Sequence, residues 1–244
     1  MCVIYILNIF KDTIISNKFK RLVMIVAIIN EKGGSGKTTL AINLACKLIN
    51  EGESVLFIDS DPQKSGEVFV EIRKGEGLAQ GFKYMSEREN LIPLLRSSVD
   101  KFDSIVIDTG GRDNKEMRKA LSVADMVLIP VYPSQYDLSA LNNMLNLVKM
   151  TKRANNPESK CFIIINRAFT NASLKSKINE FKEIIKTKEK SGIALLDSIL
   201  YDREAFRMAT MQGLGITEMS TPKNKAKNEF NTMFKELLNK YQNG

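Results

Sequence analysis

The chain has 244 residues, of which 43% are hydrophobic and 26% are charged. This balance is typical of a globular protein with a buried core, and it excludes a chain that is disordered throughout. The formal net charge is +8, which favours an anionic partner. The sequence contains no histidine, so a histidine general base and a histidine-ligated zinc site are both excluded.

The N-terminal stretch MCVIYILNIF is apolar, but it is too short to cross a bilayer and lacks the basic start of a secretory signal. Met24 directly precedes the first clear strand, so residues 1–23 are interpreted as an upstream extension or a misassigned start. The alternative is an extra edge element that packs on the domain. Residues 24–244 are expected to form a single domain.

From residue 24 onwards, short runs rich in valine and isoleucine alternate with helical patterns. The runs predict strands at 24–30, 54–59, 104–108, 126–131, 161–166 and 193–200. Helices are predicted at a leucine stripe that ends before Gly52, and at 115–124, 137–153, 173–190, 203–212 and 223–241. Because the strand runs are apolar throughout, we expect helices on both faces of the sheet. The pattern predicts an α/β fold with a doubly wound, mostly parallel sheet. The polar stretch 73–90 is predicted to be irregular.

The cysteines indicate the redox state of the protein. Cys2, Cys46 and Cys161 are widely separated and match no metal-binding or redox spacing. They are interpreted as reduced thiols in a cytoplasmic protein.

The segment NEKGGSGKTT at residues 30–39 follows the first strand and opens the first helix. It nearly matches the phosphate-binding pattern G-x-x-x-x-G-K-[ST], with Glu31 in place of the first glycine. Glycines let the backbone N–H groups of such a loop surround phosphate oxygens, and the helix adds its positive end. We expect Lys37 to contact the β- and γ-phosphates and Thr38 to ligate Mg²⁺. The predicted nucleotide-binding residues of the loop are Gly33, Gly34, Ser35, Gly36, Lys37, Thr38 and Thr39.

Lys32 is not explained by the loop, because Lys37 already serves the bound nucleotide. One interpretation of Lys32 is a solvated surface cation. However, KGGSGKTT resembles the deviant Walker A motif of the ParA/MinD group of P-loop ATPases, and the resemblance covers residues 24–244. In that group the early lysine crosses a dimer interface to the partner's nucleotide, and no glycine is required where this chain has Glu31. The resemblance therefore implies ATP as cofactor, an ATP-bound homodimer, and Lys32 acting in trans as a nucleotide-binding and catalytic residue.

Aspartates end two of the predicted strands, Asp59 and Asp61 in FIDSDPQKS and Asp108 in IVIDTGG. Such residues also cap turns, but their place beside a phosphate loop favours a Mg²⁺ site. The D-x-D-P-Q run is similar to the second motif of the family, which implies that Asp61 positions the attacking water and Asp59 supports the metal shell. Asp108 matches the Walker B aspartate, which holds Mg²⁺ indirectly. The predicted catalytic residues are Lys32, Lys37 and Asp61; the predicted metal residues are Thr38, Asp59 and Asp108.

Three further segments give weaker signals. Asn166 and Arg167 end the strand at 161–166, a position from which the asparagine amide would read the adenine edge; a simple turn residue is the alternative. The segment IPVYPSQYDL at 129–138 resembles the ParA-side form of the family, in which this loop lies at the dimer interface. Gly110 and Gly111 suit a loop that responds to the γ-phosphate.

Positive charge is concentrated in residues 149–190, which contain eleven Lys/Arg and four Glu, a net charge of +7. With the ParA-like motifs, this cluster predicts DNA binding without base specificity, and a solvated lysine-rich face is the alternative. No helix-turn-helix candidate precedes Met24, so specific operator binding is not expected. The predicted DNA-contacting residues are Lys182, Lys186, Arg207, Lys223, Lys225 and Lys227.

The resemblance implies a weak Mg²⁺-dependent ATPase that partitions a plasmid or chromosome on the nucleoid with a ParB-like centromere-binding protein. The alternatives are a ParA-like protein that positions a protein cargo, a non-enzymatic nucleotide sensor, and a MinD-like ATPase recruited to a membrane. The last requires a free C-terminal amphipathic helix. The apolar side of the last predicted helix is equally expected for a helix packed on the domain, so no stable membrane association is expected. That apolar side consists of Phe230, Phe234, Leu237, Leu238 and Tyr241.

Overall fold

The computed structural model describes residues 23–111, 115–189, 192–220 and 224–243. The interpretation of residues 1–23 as an extension concerns a segment that lies, except for Val23, outside the described residues. Lys223 also lies outside them.

Within these ranges, seven strands form one sheet in which each strand pairs in parallel with its neighbours. Across the sheet the order is β3-β2-β4-β1-β5-β6-β7. Because the chain leaves β1 in both directions along the sheet, the predicted doubly wound parallel fold is confirmed. The strands are β1 (Met24–Ile28), β2 (Val55–Asp59), β3 (Lys83–Ser86), β4 (Ser104–Asp108), β5 (Met126–Val131), β6 (Lys160–Ala168) and β7 (Ile193–Tyr201).

Helices cover both faces of the sheet. The described ranges contain α1 (Lys37–Asn50), α2 (Ser65–Gly75), α3 (Leu91–Ser98), α4 (Lys115–Val123), α5 (Gln135–Ala154), α6 (Lys175–Lys186), α7 (Glu204–Met211) and α8 (Lys225–Asn243). Buried side chains of α1, α2, α7 and α8 form one apolar layer, and those of α3 to α6 form the other. This arrangement explains why the strand runs are apolar throughout, since every side chain of β2, β4 and β5 is buried.

The prediction of an irregular stretch over 73–90 is wrong in part. Helix α2 continues to Gly75, and Lys83–Ser86 form β3 at the edge of the sheet, paired with β2. All four side chains of β3 are exposed or half-buried, so no apolar run identifies this strand in the sequence. The short helices α2 and α3 were likewise not predicted.

Candidate nucleotide site

The loop between β1 and α1 has the backbone shape that phosphate binding requires. Gly34 and Gly36 have φ angles of 76° and 88°, in the left-handed region that favours glycine. A Cβ atom at Gly36 would also lie 2.4 Å from Nδ2 of Asn166, so this position accepts no side chain. Helix α1 begins at Lys37. The loop therefore presents backbone donors and the positive end of a helix to an anion.

Two polar side chains of the loop are buried in a way that suits a bound phosphate. Burial lowers the pKa of the Lys37 ammonium group, although the nearby carboxylates of Asp108 and Asp61 oppose this shift. Nζ of Lys37 donates to the carbonyl of Lys32 at 3.3 Å. The hydroxyl of Ser35 is buried and has no hydrogen-bond partner among the described residues. A phosphate group would satisfy both side chains.

Asp108 lies at the end of β4, beside the end of β1, and is completely buried. Burial raises the pKa of its carboxyl group to about 7, and the nearby Thr38 hydroxyl offsets part of that rise. Neither carboxylate oxygen has a partner with good hydrogen-bond geometry in the described part of the chain. A buried, unpaired carboxylate next to a threonine hydroxyl fits Mg²⁺, bound directly or through its waters. Thr38 and Asp108 would hold the ion, which supplies positive charge for the phosphates.

The Asp108 carboxyl group gives a pH-dependent prediction. Its folded-state pKa of about 7 lies above the ordinary value of 3.8. Between about pH 4 and pH 7, the folded protein therefore keeps a proton that the unfolded chain has lost. The contribution of this carboxyl group to folding stability is fully present below about pH 4, and it is lost as the pH rises through about 7. Without Mg²⁺, Asp108→Asn should raise the free energy of unfolding at pH 8 by on the order of 3 kcal/mol, since asparagine stays neutral.

Urea denaturation at pH 5.5 and pH 8, with and without Mg²⁺ and ATP, measures this effect. We expect the variant to exceed the wild type in stability at pH 8 in the absence of metal, and to lose the Mg²⁺-dependent part of the stabilisation by ATP. A difference between the two proteins that is the same at both pH values would contradict the assignment.

Asp59 shapes the loop that follows β2. Its Oδ1 atom accepts the N–H of Asp61, and its Oδ2 atom accepts the N–H of Gly66, both at 3.0 Å. The Tyr84 hydroxyl donates to the same Oδ2 atom at 3.3 Å. Asp59 therefore fixes both Asp61 and the start of α2. Its predicted support of the metal shell stays a prediction, and its positioning of Asp61 is a contact that the sequence did not reveal.

Asp61 lies where the β2 loop meets the loop after β4. Its Oδ1 atom accepts the N–H of Gln63 at 3.0 Å. A Cβ atom at Gly110 would lie 3.5 Å from the same oxygen, so the two loops touch at this point. Burial lowers the pKa of the Lys37 ammonium group, and Asp61 is close enough to offset part of that effect. The structure thus brings together Asp61, Lys37 and Gly110, as their places at the ends of parallel strands predict.

A cavity of about 1070 Å³ extends from the phosphate loop to α7, which is large enough for a nucleotide. Residues not predicted from the sequence complete it, among them Tyr201, Asp202 and Phe206. Most of the predicted site residues line this cavity: Gly33, Gly34, Gly36, Lys37, Thr38, Thr39, Asp61, Asn166 and Arg167.

Asn166 and Arg167 brace the phosphate loop from the end of β6. Nδ2 of Asn166 donates to the Ser35 carbonyl at 2.8 Å, and Nη1 of Arg167 donates to the Gly34 carbonyl at 2.7 Å. Arg167 has a φ of 55°, which is rare for a residue with a side chain and common at functional sites. Adenine recognition by Asn166 stays a prediction. The role of Asn166 and Arg167 in holding the phosphate loop was not predicted from the sequence.

Lys32 is not among the described residues that line the cavity. Its Nζ atom lies 2.7 Å from Oδ2 of Asp137 in the first turn of α5, and 5.6 Å from the centre of the Tyr136 ring. Asp137 is 2% exposed, whereas the Lys32 side chain is 36% exposed. The amine is thus held by a buried carboxylate, which disfavours the interpretation of Lys32 as a freely solvated cation.

The backbone before the loop is also fastened to β5 and α5. Asn30 is buried, donates to the Pro130 carbonyl at 2.8 Å and accepts the N–H of Lys32 at 3.0 Å. Glu31, at the position of the missing glycine, accepts a hydrogen bond from Asn143 at 3.0 Å. Glu31 is therefore accommodated by a contact with α5.

Two of the predicted DNA-contacting residues, Lys182 and Lys186, lie in α6 and are both paired. Lys182 forms an ion pair with Asp197 of β7 at 3.0 Å, and Lys186 with Glu183 at 2.9 Å. These pairs neutralise part of the charge that the sequence assigned to this region.

The other described members of the set lie at the end of the sheet that carries the phosphate loop. Helix α7 follows the end of β7, and the start of α8 is tied to the same end by an ion pair between Glu229 and Arg203. Arg207 lines the nucleotide cavity and pairs with Asp202 at 3.1 Å. Lys227 donates to the Met219 carbonyl at 2.8 Å, and Lys225 is exposed at the start of α8.

The apolar side of α8 faces the protein core. Phe230, Phe234 and Leu237 are buried in the layer that also contains α1 side chains, and Leu238 and Tyr241 are partly buried against it. The sequence pattern therefore reflects a helix packed on the domain. None of the helices within the described ranges combines the length and the hydrophobicity needed to span a membrane.

A parallel sheet with a glycine-rich loop, a buried lysine and an unpaired aspartate at its carboxyl edge defines a phosphate-loop nucleotide-binding protein. Residues 26–215 match the family described as the CobQ/CobB/MinD/ParA nucleotide binding domain. The chain belongs to this family, and the predicted membership of the ParA/MinD group of ATPases is confirmed.

Similar proteins cover most of the chain. Maintenance of carboxysome distribution protein A from Halothiobacillus neapolitanus is 25% identical over 214 residues, which cover 87% of this chain and 95% of that protein. Protein ParA from Rhizobium radiobacter is 24% identical over 182 residues, covering 75% and 80%. The fold is similar to that of the septum site-determining protein MinD from Pyrococcus horikoshii, complexed with Mg-ADP, with a TM-score of 0.67 at 17% identity; 91% of this chain and 97% of that chain are covered.

Proposed function

We propose that this protein is a weak Mg²⁺-dependent ATPase that dimerises around two bound ATP molecules and binds DNA without base specificity in that state. Hydrolysis dissociates the dimer and releases the DNA. Residues 24–244 act as a single ATPase domain in this cycle. Family membership and the fit of Asp108 and Thr38 to Mg²⁺ support nucleotide turnover. The position of Lys32 carries the proposal of a dimer.

Lys32 supports a dimer because its amine lies outside the cavity formed by its own loop. In a dimer whose two cavities face each other, this amine contacts the phosphates bound by the partner. There it adds positive charge where the transferred phosphoryl group becomes more negative, as an arginine finger does. The ring of Tyr136 beside it is 82% exposed, and a second subunit would cover it. ATP can favour the dimer only through contacts that the monomer lacks, and Lys32 provides one.

Asp61 is proposed to orient the attacking water. The chain has no histidine, so carboxylates and the γ-phosphate itself are the groups available to accept a proton. Asp61 is half-buried and lines the cavity, next to the loop that contains Gly110. Catalysis then consists mainly of positioning and charge stabilisation, which agrees with a slow basal rate. A partner protein of the ParB kind would accelerate it.

DNA binding is proposed for the end of the sheet that carries the phosphate loop. Lys175 and Lys177 are exposed at the start of α6, which follows the carboxyl end of β6. Lys225 and Arg207 lie at the same end. A dimer that joins at the nucleotide sites would present two such basic surfaces to one duplex. This geometry makes DNA affinity depend on ATP and on salt.

Retention of DNA with ADP and with a non-hydrolysable ATP analogue, at low and high salt, tests this proposal. We expect retention with the analogue at low salt, and its loss at high salt. The double variant Lys175→Glu/Lys177→Glu should weaken retention at least tenfold without changing dimerisation. Lys83→Glu/Lys101→Glu, at the opposite end of the sheet, is the matched control and should retain DNA normally. Equal retention with ADP and with the analogue would contradict the proposal. An ATP turnover rate that neither DNA nor a partner protein changes would favour a simple nucleotide sensor.

Two kinds of cargo are candidates for this protein. Plasmid or chromosome partition with a ParB-like centromere-binding protein is supported by the ParA relative. Positioning of a protein cargo is supported by the match to a carboxysome distribution protein over nearly its full length. Affinity capture with the ATP-bound dimer separates them: a sequence-specific DNA-binding protein indicates the first, and a component of a protein assembly indicates the second.

A further inference from the structure

Both lysines of the phosphate loop are engaged within their own subunit. Nζ of Lys37 donates to the main-chain carbonyl of Lys32, and Nζ of Lys32 donates to Asp137. Residue 32 is therefore held twice, through its carbonyl and through its side chain. A nucleotide that recruits Lys37 to its phosphates removes the first contact and leaves the second.

Asp137 is placed to bind an amine and not only to stabilise the start of α5. Ser134 is the residue before α5, and its hydroxyl already accepts the N–H of Asp137 at 3.2 Å. The same hydroxyl and the Lys32 amine both donate to Oδ2 of Asp137. Oδ1 is buried without a partner among the described residues. When Lys32 leaves, this buried carboxylate loses its cation and keeps only the serine.

We propose that Asp137 is a positioning residue that holds the Lys32 amine in cis and sets how readily it is released to a partner subunit's phosphates. The inference rests on the proposed ATP-dependent dimer. Nucleotide binding draws Lys37 away from the carbonyl of Lys32, which frees the segment that positions the amine. The Lys32–Asp137 contact then opposes dimerisation until the partner's triphosphate replaces the carboxylate. Asp137 thus raises the protein concentration at which the triphosphate-bound dimer forms.

The test variant is Asp137→Asn, which keeps the size of the side chain and a hydrogen-bond acceptor for Ser134 but removes the negative charge. Because the binding-competent Lys32 becomes more populated, we expect the dimer formed with a non-hydrolysable ATP analogue to dissociate at roughly tenfold lower protein concentration. ADP should still leave the variant monomeric. Sedimentation velocity over a protein concentration series measures both.

Two further variants separate this role from helix capping. Asp137→Glu restores the carboxylate and should return the dimer constant toward the wild-type value. Ser134→Ala removes the cap hydrogen bond and should lower thermal stability without tightening the dimer. If Asp137→Asn dimerises no more tightly than the wild type, or more weakly, the inference is overturned while the proposed function stands. If the wild type stays monomeric with the analogue, both are overturned.

Discussion

Replacement of Lys32 by alanine should abolish ATP-dependent dimerisation and lower turnover by about 10³-fold or more, while the monomer still binds nucleotide. The reason is that Lys32 does not line its own cavity, so its loss removes no contact to the nucleotide in cis. It removes the positive charge that, in the proposed dimer, each subunit supplies to its partner. Fluorescent-nucleotide titration, sedimentation velocity and phosphate release measure the three properties separately.

The matched control is Lys101→Ala, which removes an exposed lysine at the opposite end of the sheet. It should leave nucleotide binding, dimerisation and turnover unchanged. If Lys32→Ala instead hydrolyses ATP at the wild-type rate, Lys32 has no role in trans. If it fails to bind nucleotide as a monomer, the lysine acts within its own subunit.

Replacement of Asp61 by alanine should lower turnover by about 10²–10⁴-fold and trap the ATP-bound dimer on DNA. Asp61 is close to both Lys37 and the Gly110 loop, and we propose that it orients the water that attacks the terminal phosphate. Its removal leaves the phosphate loop and Lys32 intact, so binding and dimerisation persist while hydrolysis stops. The lifetime of the DNA-bound dimer after excess ATP is added should increase in proportion to the loss of turnover.

Glu67→Ala is the control for Asp61→Ala. It removes a carboxylate from α2, about one turn beyond the loop, where Glu67 is half exposed and pairs with Lys64. This variant should release DNA as the wild type does. Rapid turnover by Asp61→Ala would remove Asp61 from the mechanism.

The sequence predicted the central sheet because buried parallel strands leave uninterrupted apolar runs, as in Val55–Asp59 and Ser104–Asp108. It did not predict β3, since an edge strand with exposed side chains gives no such run. The phosphate loop and Asp108 were predictable for a related reason. Each lies at the carboxyl end of a strand, and parallel strands bring those ends together.

Contacts between distant segments were not predictable in the same way. Lys32 and Asp137 are 105 positions apart, and in the sequence Asp137 is simply an acid at the start of a helix. A count of charged residues in the sequence also does not reveal which of them form ion pairs. Lys182 was assigned to a DNA surface, and the structure shows that it pairs with Asp197 of β7. Arg207 was assigned to the same surface and lines the nucleotide cavity beside Asp202.

The most direct test of the central claim is the turnover of an equimolar mixture of Lys32→Ala and Asp61→Ala subunits, each inactive alone. In a mixed dimer, the Lys32→Ala subunit keeps its own Asp61 and receives Lys32 from its partner, so one of the two sites is complete. We expect turnover above that of either component but below about a quarter of the wild-type value, which is the result for random pairing with half of the dimers mixed, because Lys32→Ala weakens pairing and Asp61→Ala subunits also pair with each other. A mixture in which sedimentation velocity detects mixed dimers but turnover stays as low as in its components would contradict a role of Lys32 across the interface.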